Sequence, residues 1–323
     1  MSTNQSIWLK MNWSKRNDLR SRSVALGTFD GVHLGHQELL KRAVAQKERT
    51  ENLSSMVLTF NIPPEQYFNK KIQLVTSLTE RVRLLHSFGI DEVAWVDFSD
   101  EFAKMEPEVF IEELLIKTLC AKHVVCGYNY RFGYRARGNP ELLAEYGKRY
   151  GFSVEVVPPL LIENEPVSST RIRQLLANGL IPEATMLLGR YPFYCGKVVE
   201  GSQRGRRLGF PTANLEISPD FVIPLDGVYL TYCRVHKNYY PAVTSISDNP
   251  TFNGEKHTIE SYLLGFNGSL YYQELEVHFL RRIRDIFKFD TIEELIEQIA
   301  DDVKVAEREI GSYHLQCTNG MLE

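Results

Sequence analysis

The sequence predicts two domains in series: an α/β domain built on a parallel sheet covered by helices, then an antiparallel sheet or barrel with one terminal helix. Three observations carry this. The chain has 323 residues, about twice the usual length of a domain. Up to about residue 186, short apolar runs alternate with amphipathic helical runs, the pattern of parallel strands joined by helices. Beyond that point come β-branched and aromatic runs broken by Gly, Asn-Pro or Asn-Gly, which is the chemistry of antiparallel pairing.

The elements follow in order. SVALGTF (23–29) reads as a strand and HQELLKRAVAQKE (36–48) as an amphipathic helix. SSMVLTF (54–60) is a second strand, residues 80–88 a helix and EVAWVDF (92–98) a third strand. Helical periodicity runs through 101–119, HVVCGYN (123–129) is again a strand, and PELLAEYGKRY (140–150) a helix before the strand SVEVVPP (153–159). STRIRQLLANG (169–179) has a Ser/Thr start and a Gly stop, the signature of a capped helix. The domain boundary is expected near 183–190, around LLGRYPF. PFYCGKVVEG, GVYLTYCRVH, YYPAVTSIS, TIESYLLGF and LYYQELEVHFL then supply strands, and TIEELIEQIADDVKVAEREI (291–310) a closing helix.

Composition narrows the function classes. Hydrophobic residues make up 43% and charged residues 24%, an ordinary globular balance. The formal charge is −4 with no basic tail, which argues against a nucleic-acid partner, because phosphate backbones are bound by clustered Lys and Arg. A small phosphorylated ligand needs only a local positive site. The five cysteines (120, 126, 195, 233 and 317) form no C-x-x-C pair and their number is odd, so reduced thiols are expected rather than disulfides or a zinc site. The first 18 residues have no apolar core, so no secretory signal is expected. No apolar run is long enough for a membrane span, and a cytoplasmic location is expected.

Two constellations carry chemistry. The first is VALGTFDGVHLGHQELL (24–40), where a strand runs into Gly27, Phe29, Asp30 and Gly31 and then His33 and His36 flank a helix start. Glycines let backbone amides approach a phosphate, and a helix N-terminus offers free N–H groups. Imidazole donors aimed at an α-phosphate can stabilise charge that builds during nucleotidyl transfer. The stretch has neither G-x-G-x-x-G nor a Walker A pattern. Downstream, in VSSTRIRQLL (167–176), Ser168, Ser169 and Thr170 can cap a helix, and Arg171 and Arg173 can reach polyphosphate from its first turn. Alone, two histidines are a chance surface pair and this helix is simply well capped; together in one α/β domain they suggest a nucleotide site.

The second constellation is EGSQRGRRLGFPTANLEI (200–217). A Gly/Arg loop can fold over phosphates. Thr212 and Asn214 stand two apart, so on an extended segment they share a face, and neutral oxygens of this kind suit Mg²⁺. The isolated PTAN tetrapeptide reads rather as a turn before a strand, with Asn214 capping backbone.

These motifs resemble those of the bifunctional bacterial riboflavin kinase/FMN adenylyltransferase (FAD synthetase) family. GTFDGVHLGH, HVVCGYNYRFGYRARGN (123–139) and VSSTRIR match its nucleotidyltransferase half; GRRLGFPTAN (205–214), DGVY (226–229), NPTF (249–252) and TIESYLLGF (258–266) match its kinase half. The resemblance implies a Rossmann-like nucleotidyltransferase domain over 1–184 and a riboflavin kinase-like antiparallel β-barrel with a terminal helix over 185–323. It implies FAD biosynthesis from riboflavin, FMN and ATP with Mg²⁺. It places His33 and His36 as catalytic residues, with Gly27, Phe29, Asp30, Gly31, Ser169, Thr170 and Arg173 binding ATP, and Asn129 and Phe132 binding flavin. In the kinase half it implies Glu260 as general base, Thr212 and Asn214 at the metal, Gly201, Arg204, Gly209 and Phe210 at ATP, and Arg284 at the flavin. Flavins and ATP are then the partners of a monomer or weak homo-oligomer, without nucleic acid or membrane.

The chain departs from the family pattern at five places. After the second strand Phe60-Asn61-Ile62-Pro63-Pro64 lacks the usual histidine. In the kinase half, Tyr262 replaces a histidine, Gly265 an aspartate and Gln203 a glycine, and Ser247 stands where I-G is usual. Gln203 loses glycine's access to positive φ. Two competing readings follow: an FMN adenylyltransferase with an impaired kinase-like domain, and a non-catalytic flavin or nucleotide sensor.

Overall fold

The computed structural model describes residues 11–13, 20–69, 71–201, 205, 208–251 and 254–313. They fall into two compact units, one comprising the described residues up to Ile72 together with Thr76–Ser169, the other Gln73–Val75 and the described residues from Thr170 onward.

The first unit alternates strands and helices as the periodicity requires. Its elements are β1 (Met11–Trp13), β2 (Ser21–Leu26), α1 (Leu34–Arg49), β3 (Leu53–Phe60), α2 (Pro64–Phe68), α3 (Leu78–Ser87) and β4 (Glu92–Val96). Then come α4 (Asp100–Ala103), α5 (Pro107–Val109), β5 (Ala121–Gly127), α6 (Pro140–Tyr150), β6 (Ser153–Val157) and a small hairpin of β7 (Leu161–Ile162) and β8 (Glu165–Pro166). The described strands form a sheet in the order β1-β4-β3-β2-β5-β6. Strands β2 to β6 are parallel, while β1 joins the edge antiparallel to β4. The chain moves from β2 outward through β3 and β4, then crosses back to β5 on β2's other side. The carboxyl end of β2 is therefore the switch point, where open α/β sheets leave a crevice for ligands.

β2, β3 and β5 are buried almost throughout, as in a parallel sheet covered on both faces. Val24, Leu26, Met56, Leu58, Val124 and Cys126 pack with Phe110, Leu114 and Phe132 in one core. One ion pair is buried among these strands: Arg22 Nη2 donates to Glu92 Oε2 at 3.0 Å, and Ser54 Oγ donates to Oε1 at 2.7 Å. The single helix expected over 101–119 is broken. Pro107 has no N–H to continue α4 and instead opens α5, which widens into π-helical turns over Phe110–Thr118.

α3 begins with a capping box. Glu80 N–H donates to Ser77 Oγ at 3.2 Å, and Ser77 N–H donates to Glu80 Oε2 at 2.9 Å. Ser77→Ala is expected to cost about 1 kcal/mol, read as an earlier midpoint in urea unfolding.

The second unit contains α7 (Ser169–Ala177, from Thr170 on), α8 (Ile181–Leu188), and strands β9 (Phe193–Val199), β10 (Ala213–Glu216), β11 (Gly227–Val235), β12 (Asn238–Thr251), β13 (Gly254–Leu263) and β14 (Glu274–Arg284). The six described strands close into an antiparallel barrel, β10-β13-β12-β11-β14-β9. Inward positions on three adjacent strands include a chain of fully buried hydroxyls: Thr231 Oγ1 lies 2.7 Å from Thr244 Oγ1, which lies 2.8 Å from Ser261 Oγ. Each side chain satisfies the next, as burial demands. The last long helix, α9 (Ile292–Glu309), packs Ala306 and Val303 against Val228, Leu230, Val243 and Leu280. Ion pairs tie it to β14, Arg284 to Asp302 and Arg281 to Glu309.

Candidate active sites

In the first unit the site grows from the end of β2. Gly27 N–H makes a last bond to Leu58 O at 3.3 Å, after which the chain turns sharply. Phe29, Gly31 and Val32 all have positive φ, at 53°, 79° and 40°. Glycine adopts this region freely, whereas Phe and Val pay a steric penalty, so the surroundings must hold the turn. Phe29 is fully buried, lies 3.1 Å from where a Cβ on Gly27 would sit, and meets the His36 ring at 5.1 Å. The buried Asp30 carboxylate accepts from Thr76 N–H at 3.1 Å, and Gly31 N–H donates to Thr76 Oγ1 at 3.0 Å. Ser169 Oγ donates to Asp30 O at 2.9 Å.

This turn delivers the two histidines to the start of α1. His33 is the N-cap: its Nδ1 accepts from His36 N–H at 3.2 Å, and its carbonyl accepts from Gln37 N–H. The rings stack, with centroids 3.6 Å apart and planes inclined by 15°. Gly35 between them leaves room for the stack, because a Cβ there would stand 3.2 Å from the His33 ring. The first turn of α1 contains no acidic residue, so the positive end of the helix dipole is not neutralised locally. Two imidazoles and a helix N-terminus thus meet at the switch point, donors of the kind an anion accepts.

The other residues expected at this site divide. Asn129 is exposed just beyond β5, the neighbour of β2 across the switch point. Phe132 is buried in the core against Phe110 and Tyr130. Thr170 and Arg173 lie in the second unit, where Arg173 Nη1 stands 3.4 Å from Thr170 Oγ1. Thr76 and Arg81 were not legible as site residues. They contact the turn from across the sheet, and no motif marks them.

The second site lies wholly on the barrel. β10 lies between β9 and β13, with Asn214 opposite Val199 on one side and Glu260 on the other. Thr212 Oγ1 donates to Glu260 Oε2 at 3.4 Å. Burial raises the Glu260 carboxyl above its ordinary value, while the Thr212 bond opposes the rise. Gly201 approaches Asn214 so closely that a Cβ would lie 2.4 Å from Nδ2. Phe210 meets Tyr262 edge-on at 5.4 Å, so the tyrosine that replaces the family histidine packs the GFPTAN segment. Gly209 is exposed, Ser247 pairs with Thr258 inside the β12–β13 ladder, and Gly265 follows β13. Arg204 and Gln203 lie outside the described residues. Arg284 is bound bidentately by Asp302, with Nε–Oδ1 at 2.9 Å and Nη2–Oδ2 at 2.7 Å, and its guanidinium lies over the Phe287 ring at 5.3 Å.

Among the described residues no cluster of three His, Cys, Asp or Glu could hold a metal. The hydroxyl and amide of Thr212 and Asn214, beside the Glu260 carboxylate, are hard oxygen donors of the kind Mg²⁺ accepts with phosphate and water. The donor set fits that ion.

The comparisons match both halves. A family model described as FAD synthetase matches residues 15–171, and one described as riboflavin kinase matches residues 188–310. The bifunctional riboflavin kinase/FMN adenylyltransferase of Listeria monocytogenes is 35% identical over 287 residues, covering 87% of this chain and 90% of that protein. The Escherichia coli K12 protein of the same description is 35% identical over 292 residues, covering 89% and 92%. A crystal structure from Streptococcus pneumoniae described as a macrolide-efflux protein aligns with a TM-score of 0.81 at 36% identity, covering 89% of this chain and 94% of that one. Among the described residues here, no helix is long and apolar enough to cross a membrane.

Proposed function

The chain belongs to the bifunctional riboflavin kinase/FMN adenylyltransferase family, and from that premise we propose which residues perform each reaction. The protein serves FAD biosynthesis through both activities: ATP phosphorylates riboflavin to FMN, and a second ATP donates AMP to FMN, giving FAD and pyrophosphate.

Adenylyl transfer belongs to the α/β part, within residues 1–184, and phosphorylation to residues 185–323. In the first reaction an FMN phosphate oxygen attacks the α-phosphorus of ATP, and the bond to the β-phosphate oxygen breaks as pyrophosphate leaves. His33, His36 and the N-terminus of α1 stabilise the negative charge that builds on the α-phosphate. Support comes chiefly from the stacked histidine pair at the switch point. Gly27, Phe29, Asp30 and Gly31 shape the loop for close phosphate approach. Ser169, Thr170 and Arg173 are assigned to the triphosphate from their motif. Asn129 is assigned to the flavin, with Phe132 supporting its loop from the core.

In the second reaction the riboflavin 5′-hydroxyl attacks the γ-phosphorus, its proton passes to Glu260, and ADP leaves. Burial of Glu260 makes it a stronger base than a solvated carboxylate. Thr212 and Asn214 would hold Mg²⁺, which supplies charge neutralisation for the phosphates when bound. Gly201, Arg204, Gly209 and Phe210 are assigned to ATP. Arg284, anchored by Asp302, is assigned to the flavin side. We place the protein in the cytoplasm as a monomer or weak homo-oligomer, with Cys120, Cys126, Cys195 and Cys233 outside any disulfide.

Chromatography after incubation with MgATP tests the scheme. Riboflavin should yield FMN and then FAD, and FMN should yield FAD; FAD from FMN with nothing from riboflavin would remove the kinase half. Gly201→Ala should push the Asn214 amide aside and lower the kinase rate by about tenfold, the order of losing one positioned hydrogen-bonding group. A titration of magnesium at fixed ATP should show the variant needing more metal.

A further inference from the structure

We propose that Arg81 is a positioning residue for adenylyl transfer: from α3 it fixes the Thr28 carbonyl, and through it the left-handed turn that presents His33 and His36. The proposal rests on the assignment of those histidines above. Arg81 is fully buried. Its Nη1 donates to Thr28 O at 3.0 Å and Phe60 O at 2.9 Å, with Thr59 Oγ1 at 3.4 Å. Thr59 Oγ1 itself donates to Thr28 O at 2.8 Å. Two donors therefore converge on the carbonyl one residue before the first positive φ, and the guanidinium ties the carboxyl ends of β2 and β3 together.

A packing role alone does not account for this residue. A buried guanidinium is costly, and an apolar side chain of similar volume fills such a space more cheaply. Arg81 Nε and Nη2 have no hydrogen-bond partner among the described residues, so the cation is not a fully satisfied staple. It faces the charge of Asp30, whose carboxylate is held by Thr76 five residues before Arg81. The stretch Thr76–Arg81 thus holds the turn at Thr28, Asp30 and Gly31. Between Thr28 and His33 lie four residues, three of them with positive φ, so a shift of the Thr28 carbonyl passes directly to the imidazoles. Transition-state donors displaced by about 1 Å lose about 100-fold in rate.

The test compares Arg81→Met, Arg81→Lys and Thr59→Val with wild type, measuring kcat and KM for FMN adenylylation and, in the same preparations, riboflavin phosphorylation. Arg81→Met should lower the adenylylation kcat by about 100-fold, with KM for ATP and FMN and the kinase rate little changed. Arg81→Lys keeps a point donor and should recover about tenfold of that loss. Thr59→Val, which strands no buried charge, should lower the same kcat by about fivefold, the order of one hydrogen bond. An equal fall in both reactions, a change confined to KM, or an unaltered adenylylation kcat in Thr59→Val would overturn the proposal. That last variant decides the matter should Arg81→Met not fold. His36→Ala runs in parallel: an active His36→Ala removes the site assignment and this inference together, whereas an inactive one with fully active Arg81 variants removes this inference alone.

Discussion

His36→Ala is expected to lower FAD formation from FMN by about 100- to 1,000-fold, the magnitude associated with losing one preorganised donor to a developing oxyanion. Phosphorylation of riboflavin by the same preparation should be unchanged. The imidazole sits in the first turns of α1, stacked at 3.6 Å on His33 and touching buried Phe29. It is half-buried, so truncation leaves only a small space beside solvent and the helix persists. The retained kinase rate is the internal measure of folding. Equal loss of both reactions would contradict separate sites.

Glu260→Gln should do the converse, lowering FMN formation by about 100- to 10,000-fold, the range for a positioned general base, with FMN-to-FAD conversion intact. The amide keeps the shape and can still accept from Thr212, so the loss isolates proton acceptance. The acid side of the kinase pH profile carries a second signature. A base works deprotonated, and burial raises this carboxyl, so activity should fall, as pH drops, at a higher pH than the ordinary glutamate value of about 4.3. Thr212 donates to the ionised form and holds the carboxyl down. Thr212→Val should therefore move that limb to still higher pH. A limb moving downward would place the wrong group in the titration.

Much of this was legible because burial writes periodicity into sequence. The parallel strands appeared as continuous apolar runs because helices cover both faces of the sheet, and the barrel strands were marked by aromatic and β-branched alternation with turn residues between. α9 matched its expected span almost to the residue, since its apolar stripe and Thr291 cap are local signals. The failures have local causes too. β1 is three residues long and gains its strand character only from pairing with β4. The helix expected over 101–119 looked continuous because its apolar spacing survives on both sides of Pro107, whose missing N–H splits it. β7 and β8 are two residues each and carry no period.

At the sites, His33, His36 and Thr212 stood out because their residue types are chemically pointed and clustered in the chain, whereas Glu260, 48 residues beyond Thr212, entered only through the family resemblance. Phe132 matched a motif, but its ring packs in the core. Arg284 was visible as a cation; that Asp302 engages it depends on how α9 docks on the barrel. Thr76 and Arg81 were silent for the opposite reason. Their partners on the turn include main-chain groups, Gly31 N–H 45 residues from Thr76 and the Thr28 carbonyl 53 residues from Arg81, and a peptide group leaves no trace in the one-letter code.

The cap on α1 has one more consequence, which concerns where a proton resides. Since His33 Nδ1 accepts from the His36 amide, that nitrogen is bare, and the single ring hydrogen of neutral His33 must occupy Nε2. The main chain thereby selects the tautomer, and the Nε2 edge of the ring is a donor before any nucleotide arrives. Adding a hydrogen to Nδ1 would evict the amide and unfasten the helix start, so the loop keeps its polarity only while the first turn of α1 stays wound.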